Sequence, residues 1–246
     1  MEQSPVYKRI LLKLSGEALM GSLQFGIDPK VCNELASEIH NLQKNGVEIG
    51  IVVGGGNIFR GVKGSSYGME RAAADHVGML ATVINSITLQ QTLMSIGCKT
   101  HVLNALDNNN ATEPYSWTKA MEYLEDKKVV IFAGGTSHPF FTTDSAAALR
   151  ACEIKADILL KATKVDGIYN KDPVQHPDAV KYDEITYHEA LQQNLQVMDG
   201  TAFTLCMENK IPIKVFNISS ISKAVSNKHF GTLVKEEYTY ERHGPN

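Results

Sequence analysis

Two short apolar runs in this chain close on a lysine: Ile10-Leu11-Leu12-Lys13-Leu14 and Ile158-Leu159-Leu160-Lys161. A continuous aliphatic run of this length, stopped by Ser15-Gly16-Glu17 in one case and by Ala162-Thr163-Lys164 in the other, is what a parallel strand buried on both faces looks like. Such a strand tolerates an ammonium poorly unless the charge finds a partner. Each lysine is therefore expected at the carboxyl end of its strand, facing an anion or a carboxylate. Spacing alone leaves a structural ion pair and a phosphate ligand as alternatives, and the repetition of the arrangement says more than either lysine alone.

Further runs of the same kind occur at Val47 to Val53, Thr100 to Leu103, Val129 to Ala133, Ile213 to Asn217 and Thr232 to Lys235. Between them lie helical patterns. Val31, Leu35, Ile39 and Leu42 share one face before Asn45-Gly46, and Val77, Leu80, Ile84 and Ile87 share another, with Asp75 near that helix start. Trp117, Met121 and Leu124 predict a helix that turns its tryptophan to the core. Strands alternating with helices predict a three-layer α/β/α sandwich around a mostly parallel sheet. The 246 residues suit a single domain over 1–246, with a polar tail at 236–246 expected to fray.

Two glycine turns follow strands. Gly54-Gly55-Gly56-Asn57-Ile58-Phe59-Arg60-Gly61 is not the dinucleotide fingerprint, because the position three past Gly56 is Phe59, and no Gly-x-x-x-x-Gly-Lys-Ser/Thr occurs anywhere. The second turn runs from Gly134 to Asp144 and leads into the helix formers Ala146 to Ala151. Glycines let backbone approach a ligand, threonines offer hydroxyls, and a helix start favours an anion; an ordinary capped βα turn satisfies the same pattern. In an open α/β sheet both lysines, both glycine turns and the Asp144 helix start map to the carboxyl edge, where ligands bind. That set contains no obvious nucleophile or general base. It suits phosphoryl transfer, with Lys13 and Lys161 neutralising charge and Asp144 orienting them, and with magnesium carried by the donor nucleotide.

Composition narrows the alternatives. A formal charge of -3 gives no broad basic field, so nucleic acid is not an expected partner. Cys32, Cys98, Cys152 and Cys206 form no Cys-x-x-Cys pair and suit free thiols in a reducing compartment. The eight histidines are scattered, so no residue is assigned to a metal. No apolar run approaches the roughly 20 residues that span a bilayer, and the first residues lack a signal-peptide build, so a cytoplasmic location is expected.

Taken together, Lys13 to Leu19, Gly54 to Gly61, Asp75 to Thr82, Pro139 to Asp144 and Lys161 to Gly167 resemble the bacterial uridylate (UMP) kinases, which have the amino-acid-kinase fold. The resemblance covers nearly the whole chain in the family's order. It implies transfer of the ATP γ-phosphate to UMP. It also implies ATP contacts from Lys13, Leu14, Ser15, Gly16, Gly56, Arg60, Thr163, Tyr169 and Asp172. UMP contacts are implied from Gly55, Asp75, Thr136, Ser137, His138, Pro139, Phe140, Phe141, Thr142 and Thr143. GTP activation linked to Gly21, Ser22, Leu23, Gln24, Phe25 and Gly26, inhibition by UTP, and a homohexamer are implied as well. Ser137-His138 departs from the family's usual Gly-Asn, and an altered UMP affinity is expected from it. A kinase with a carboxylate or carbamate acceptor, and a nucleotide-binding protein without turnover, are the rival readings.

Overall fold

The computed structural model describes residues 5–59, 68–106 and 110–236. Its described strands join in one nine-stranded sheet. In chain order these are β1 (Arg9–Leu14), β2 (Glu48–Val53), β3 (Thr100–Asn104), β4 (Glu113–Pro114), β5 (Val129–Ala133), β6 (Ile158–Thr163), β7 (Glu184–Thr186), β8 (Ile213–Asn217) and β9 (Thr232–Lys235). Across the sheet they stand β4-β3-β5-β2-β1-β6-β8-β9-β7, all parallel to their neighbours except the antiparallel pair β8 and β9.

The described α-helices are α1 (Pro29–Lys44), α2 (Arg71–Ser95), α3 (Trp117–Glu125), α4 (Thr143–Glu153), α5 (Tyr187–Gln192), α6 (Gly200–Glu208) and α7 (Ile221–Ser226). Strand parity sorts the core into two layers. Ile10, Leu12 and Leu14 of β1 pack with α1, α2 and α7 on one face. Leu11 of β1 and Leu159 of β6 pack on the other face with α3, α4, α5 and α6. Lys13 and Lys161 are each two residues beyond those leucines, so both lysines point to the α4 face. Crossover handedness puts α4 there: the chain steps from β1 to β2 through α1 in one direction, and from β5 to β6 through α4 in the other. A right-handed crossover must then use opposite faces of the sheet.

The expected three-layer architecture is the one observed. The minimal strands Glu113–Pro114 and Glu184–Thr186 were not anticipated, being too short to carry an alternation. The expectation for Trp117 is corrected, since the side chain is 57% exposed while Ala120 and Leu124 bury the inward face of α3. The four cysteines are free, and no described helix is long and apolar enough to cross a membrane. Residues 107–109, and residues 237–246 of the expected 236–246 tail, lie outside the described residues.

A third lysine is buried where sequence reading saw only strand. Lys214 of β8 is fully enclosed, and its Nζ donates to Ala224 O at 3.0 Å and Asn227 O at 2.9 Å, closing the carboxyl end of α7. Burial pushes its pKa down to about 8. The folded state therefore carries the cost of a desolvated ammonium below pH 8, and that cost is relieved as pH rises toward the unfolded value of 10.5. Urea unfolding across this range should show wild type gaining roughly 2–3 kcal/mol relative to Lys214→Met. A difference between the two proteins that does not change with pH would contradict the assignment.

Candidate functional site

Lys13 and Lys161 are direct partners in the β1–β6 register, side by side on adjacent parallel strands. Asp144, in the first turn of α4, closes on both. Its Oδ1 lies 2.8 Å from Lys13 Nζ and its Oδ2 2.8 Å from Lys161 Nζ. Lys161 Nζ also donates to Val197 O at 2.7 Å. The three side chains are largely but not wholly enclosed, with between 11% and 16% of their surface exposed. Burial pushes the Asp144 carboxyl up, but the charges of Lys13 and Lys161 and their hydrogen bonds more than reverse this, so it sits below the ordinary carboxylate value. Lys161 sits below the ordinary lysine value, chiefly through burial, with Lys13 adding repulsion that Asp144 only partly offsets.

Two helix starts lock the carboxylate in place. Thr142 caps α4, its Oγ1 accepting from Asp144 N at 3.0 Å and Ser145 N at 3.3 Å. The same hydroxyl donates to Asp199, which caps α6 by accepting from Ala202 N at 2.9 Å and also accepts from the Ser145 hydroxyl at 3.3 Å.

Two cavities flank this cluster. One, of about 390 Å³, is lined by Gly55, Gly56, Asp75, Thr136, Phe141, Thr142 and Thr143, together with Arg71. Gly55 is required by close packing, since a Cβ there would meet Gly78 O at 2.7 Å on α2. Asp75 accepts from Arg71 Nε at 2.9 Å and from Phe140 N at 2.8 Å, tying α2 to the second glycine loop. The other cavity, of about 500 Å³, is lined by Lys161, Thr163, Tyr169 and Asp172 with the 193–197 segment. Tyr169 donates to Asp166 at 2.7 Å there, and Thr163 Oγ1 donates to Val165 O at 2.7 Å.

The remaining expected residues are placed as follows. Gly56 was expected with the ATP contacts but lines the cavity that holds Asp75 and Thr136. Leu14 is fully buried and offers no side chain to either cavity, while its carbonyl accepts from Gly54 N at 2.9 Å. Ser15 opens the 3-10 turn Gly16–Leu19, and a Cβ on Gly16 would meet Gly54 O at 2.6 Å. Ser137 borders a separate recess beside Arg150 and Tyr115. His138 and Phe140 are exposed, with Pro139 between them half-buried, and His138 Nδ1 lies 2.8 Å from Thr136 O. Arg60 lies outside the described residues.

The Gly21 to Gly26 segment stands apart from both cavities, with Leu23 and Phe25 exposed. Its last residue is bonded twice to the first glycine turn: Gly26 N donates to Asn57 O at 2.9 Å, and Asn57 Nδ2 donates to Gly26 O at 2.8 Å. No group of three or more His, Cys, Asp or Glu suited to a metal occurs among the described residues. Arg71 and Asp199 were missed by sequence reading, although an Arg four residues before Asp75 and an Asp three before Ala202 carry recognisable helix-surface and capping spacings.

Asp144→Asn should leave two neighbouring ammonium groups without their shared counter-charge. Because the cleft admits water, the loss should be roughly 1–3 kcal/mol, less than for a fully dry pair. The wild-type contribution is fully present above the ordinary carboxylate pKa and disappears as pH falls through the depressed folded value. Chemical unfolding at pH 7 checks this, and an Asp144→Asn protein as stable as wild type would contradict it.

A model of the Amino acid kinase family matches residues 8–217. A uridylate kinase of Protochlamydia amoebophila (strain UWE25) is 53% identical over 234 residues, covering 93% of this chain and 93% of the relative. Among solved structures, UMP kinase from Bacillus anthracis superposes with a TM-score of 0.91 at 36% identity, over 94% of this chain and 97% of that one. UMP kinase from Ureaplasma parvum gives 0.89 at 39% identity, over 93% and 99%.

Proposed function

The chain belongs to the amino acid kinase family, among its uridylate kinases, and from that premise we propose that it moves the γ-phosphoryl group of ATP onto UMP, yielding ADP and UDP. The bond from the γ-phosphorus to the bridging oxygen of ADP breaks, and a bond to a phosphate oxygen of UMP forms. The observation that carries the reading is the Asp144 carboxylate 2.8 Å from each of two ammonium groups at the carboxyl edge of the sheet. Lys13 and Lys161 neutralise the phosphoryl oxygens in transit, and Asp144 holds the two cations close despite their repulsion.

ATP occupies the cavity of Thr163, Tyr169 and Asp172, with Lys13, Leu14, Ser15, Gly16 and Arg60 completing its contacts, while Gly56 sits on the acceptor side. UMP occupies the cavity of Gly55, Asp75, Thr136 and Phe141 to Thr143. Asp75 suits ribose hydroxyls, and the capped start of α4 suits the acceptor phosphate. Ser137 to Phe140 form the rest of that loop. Magnesium carried by ATP would supply charge neutralisation and would be held mainly by phosphate oxygens and water, because the carboxylate nearest the transfer point is already engaged by two lysines.

The finer reading is a cytoplasmic, single-domain homohexamer, activated by GTP through Gly21 to Gly26 and inhibited by UTP. The double contact of Gly26 with Asn57 supports communication between that segment and the first glycine turn. The exposed apolar residues Leu80, Ile84 and Met94 of α2 support self-association.

ADP release should be measured with ATP, magnesium and separate acceptors: UMP, CMP, dUMP, glutamate, aspartate and carbamate. Turnover with UMP is expected, reduced by several orders of magnitude in Lys13→Ala and in Lys161→Ala. Activity with a carboxylate acceptor would overturn the substrate assignment, and nucleotide binding without turnover would overturn the enzymatic one. Replacing Ser137 by Gly and His138 by Asn together should shift the UMP KM. An unchanged KM would show that the departure from the family pattern is neutral.

A further inference from the structure

Arg150 lies in the last turn of α4 with only 4% of its side chain exposed, in a site that does not satisfy it fully. Its guanidinium stacks over the Tyr115 ring at 3.6 Å from carbon to ring centre, and Nη1 pairs with Glu153 Oε2 at 2.7 Å. The Tyr115 hydroxyl donates to the same carboxylate oxygen. Nη2 donates to Gly135 O at 3.3 Å, while Nε has no hydrogen-bond partner. A buried cation with an unmet donor is a costly way to stabilise a helix. The contact to Gly135 gives it another use.

Gly135 is the second residue of a four-residue turn closed by Ser137 N donating to Gly134 O at 3.0 Å. Both glycines have positive φ, +76° at Gly134 and +59° at Gly135. The carbonyl of Gly135 belongs to the central peptide of this turn, and the Thr136 N–H is the other end of it. A trans peptide points these two groups in opposite directions. With Arg150 holding the carbonyl from the α4 side, the amide faces away from the arginine. It makes no hydrogen bond to any described residue, and both Gly135 and Thr136 line the cavity that contains Asp75.

We propose that Arg150 is a positioning residue for the acceptor nucleotide. It fixes the Gly135–Thr136 peptide so that the Thr136 amide stands as a preorganised donor in the acceptor cavity. This rests on the reading of that cavity as the UMP site. The stack on Tyr115 and the pair with Glu153 set the angle of the guanidinium fork, which makes arginine and lysine unequal here. The contribution lies in binding the acceptor and leaves the phosphoryl-transfer step and the donor cavity untouched.

The test compares steady-state KM values for UMP and ATP, kcat and melting temperature in wild type, Arg150→Met, Arg150→Lys, and a core-truncation control, Leu124→Ala. A double variant, Arg150→Met with Glu153→Gln, removes the carboxylate that Arg150→Met would leave unpaired and serves if the single variant folds poorly. Loss of one well-placed hydrogen bond should raise the UMP KM about tenfold in Arg150→Met, with kcat and the ATP KM within about twofold. Arg150→Lys, which keeps a donor but not the fork, should fall between wild type and Arg150→Met. A UMP KM within about twofold of wild type in the folded single or double variant would overturn the proposal, as would a parallel rise in both KM values of the size seen in Leu124→Ala. If wild type itself converts no UMP, the functional reading fails and takes this inference with it.

Discussion

One carboxylate between two ammonium groups is the interaction on which the site depends. Two lysines in register on neighbouring strands repel each other, and neither can turn to the opposite face of the sheet without entering the core beside Leu12 or Leu160. Asp144 makes the arrangement tenable by binding one cation with each oxygen. The geometry has a chemical consequence, because the positive charge near the shared edge exceeds what one carboxylate neutralises. On the proposed function, a phosphoryl group entering there meets cations already in place, in a cleft where water screens them less than at an open surface.

The topology makes this meeting necessary. Strand parity sends Lys13 and Lys161 to one face, and the right-handed crossover from β5 to β6 lays α4 across that face with its amino end at the carboxyl edge of the sheet. Thr142 and Asp199 then join the starts of α4 and α6, so the carboxylate is held by backbone geometry as well as by charge. The two cavities open on either side of this point, one under the α2 residues Arg71 and Asp75, the other under Tyr169 and Asp172. On the proposed function, donor and acceptor approach from opposite sides of a fixed pair of cations.

Much of this was legible in the sequence because the signals were local. Continuous apolar runs identify buried parallel strands, and a lysine at the end of such a run must face something of opposite charge. Pairing was not legible, since the register that sets Lys13 beside Lys161 joins residues almost 150 positions apart. Helix periodicity gave Leu124 and the half-buried Met121 on the inward side of α3 but misplaced Trp117 and passed over Ala120, because a large aromatic dominates an apolar spacing pattern in which an alanine carries little weight. Arg150 and Lys214 were invisible for the opposite reason. A charged residue inside a helix or strand is ordinarily solvated, and only the three-dimensional neighbours, Tyr115 and Gly135 for one and the carboxyl end of α7 for the other, give each a buried place. The tie of Asp75 to Phe140 N joins two segments by a backbone amide, which leaves no trace in side-chain patterns.

The central claim is that Lys13 and Lys161 together meet the phosphoryl group in transit. The most direct test is a crystal structure of the protein with ADP, UMP, magnesium and an aluminium fluoride mimic of the transferring group. The account predicts the planar mimic between the two nucleotides, with both Nζ atoms within about 3 Å of its fluorines, as expected of charge-assisted contacts. A mimic bound away from either lysine, or nucleotides whose phosphates converge at another edge of the sheet, would contradict it.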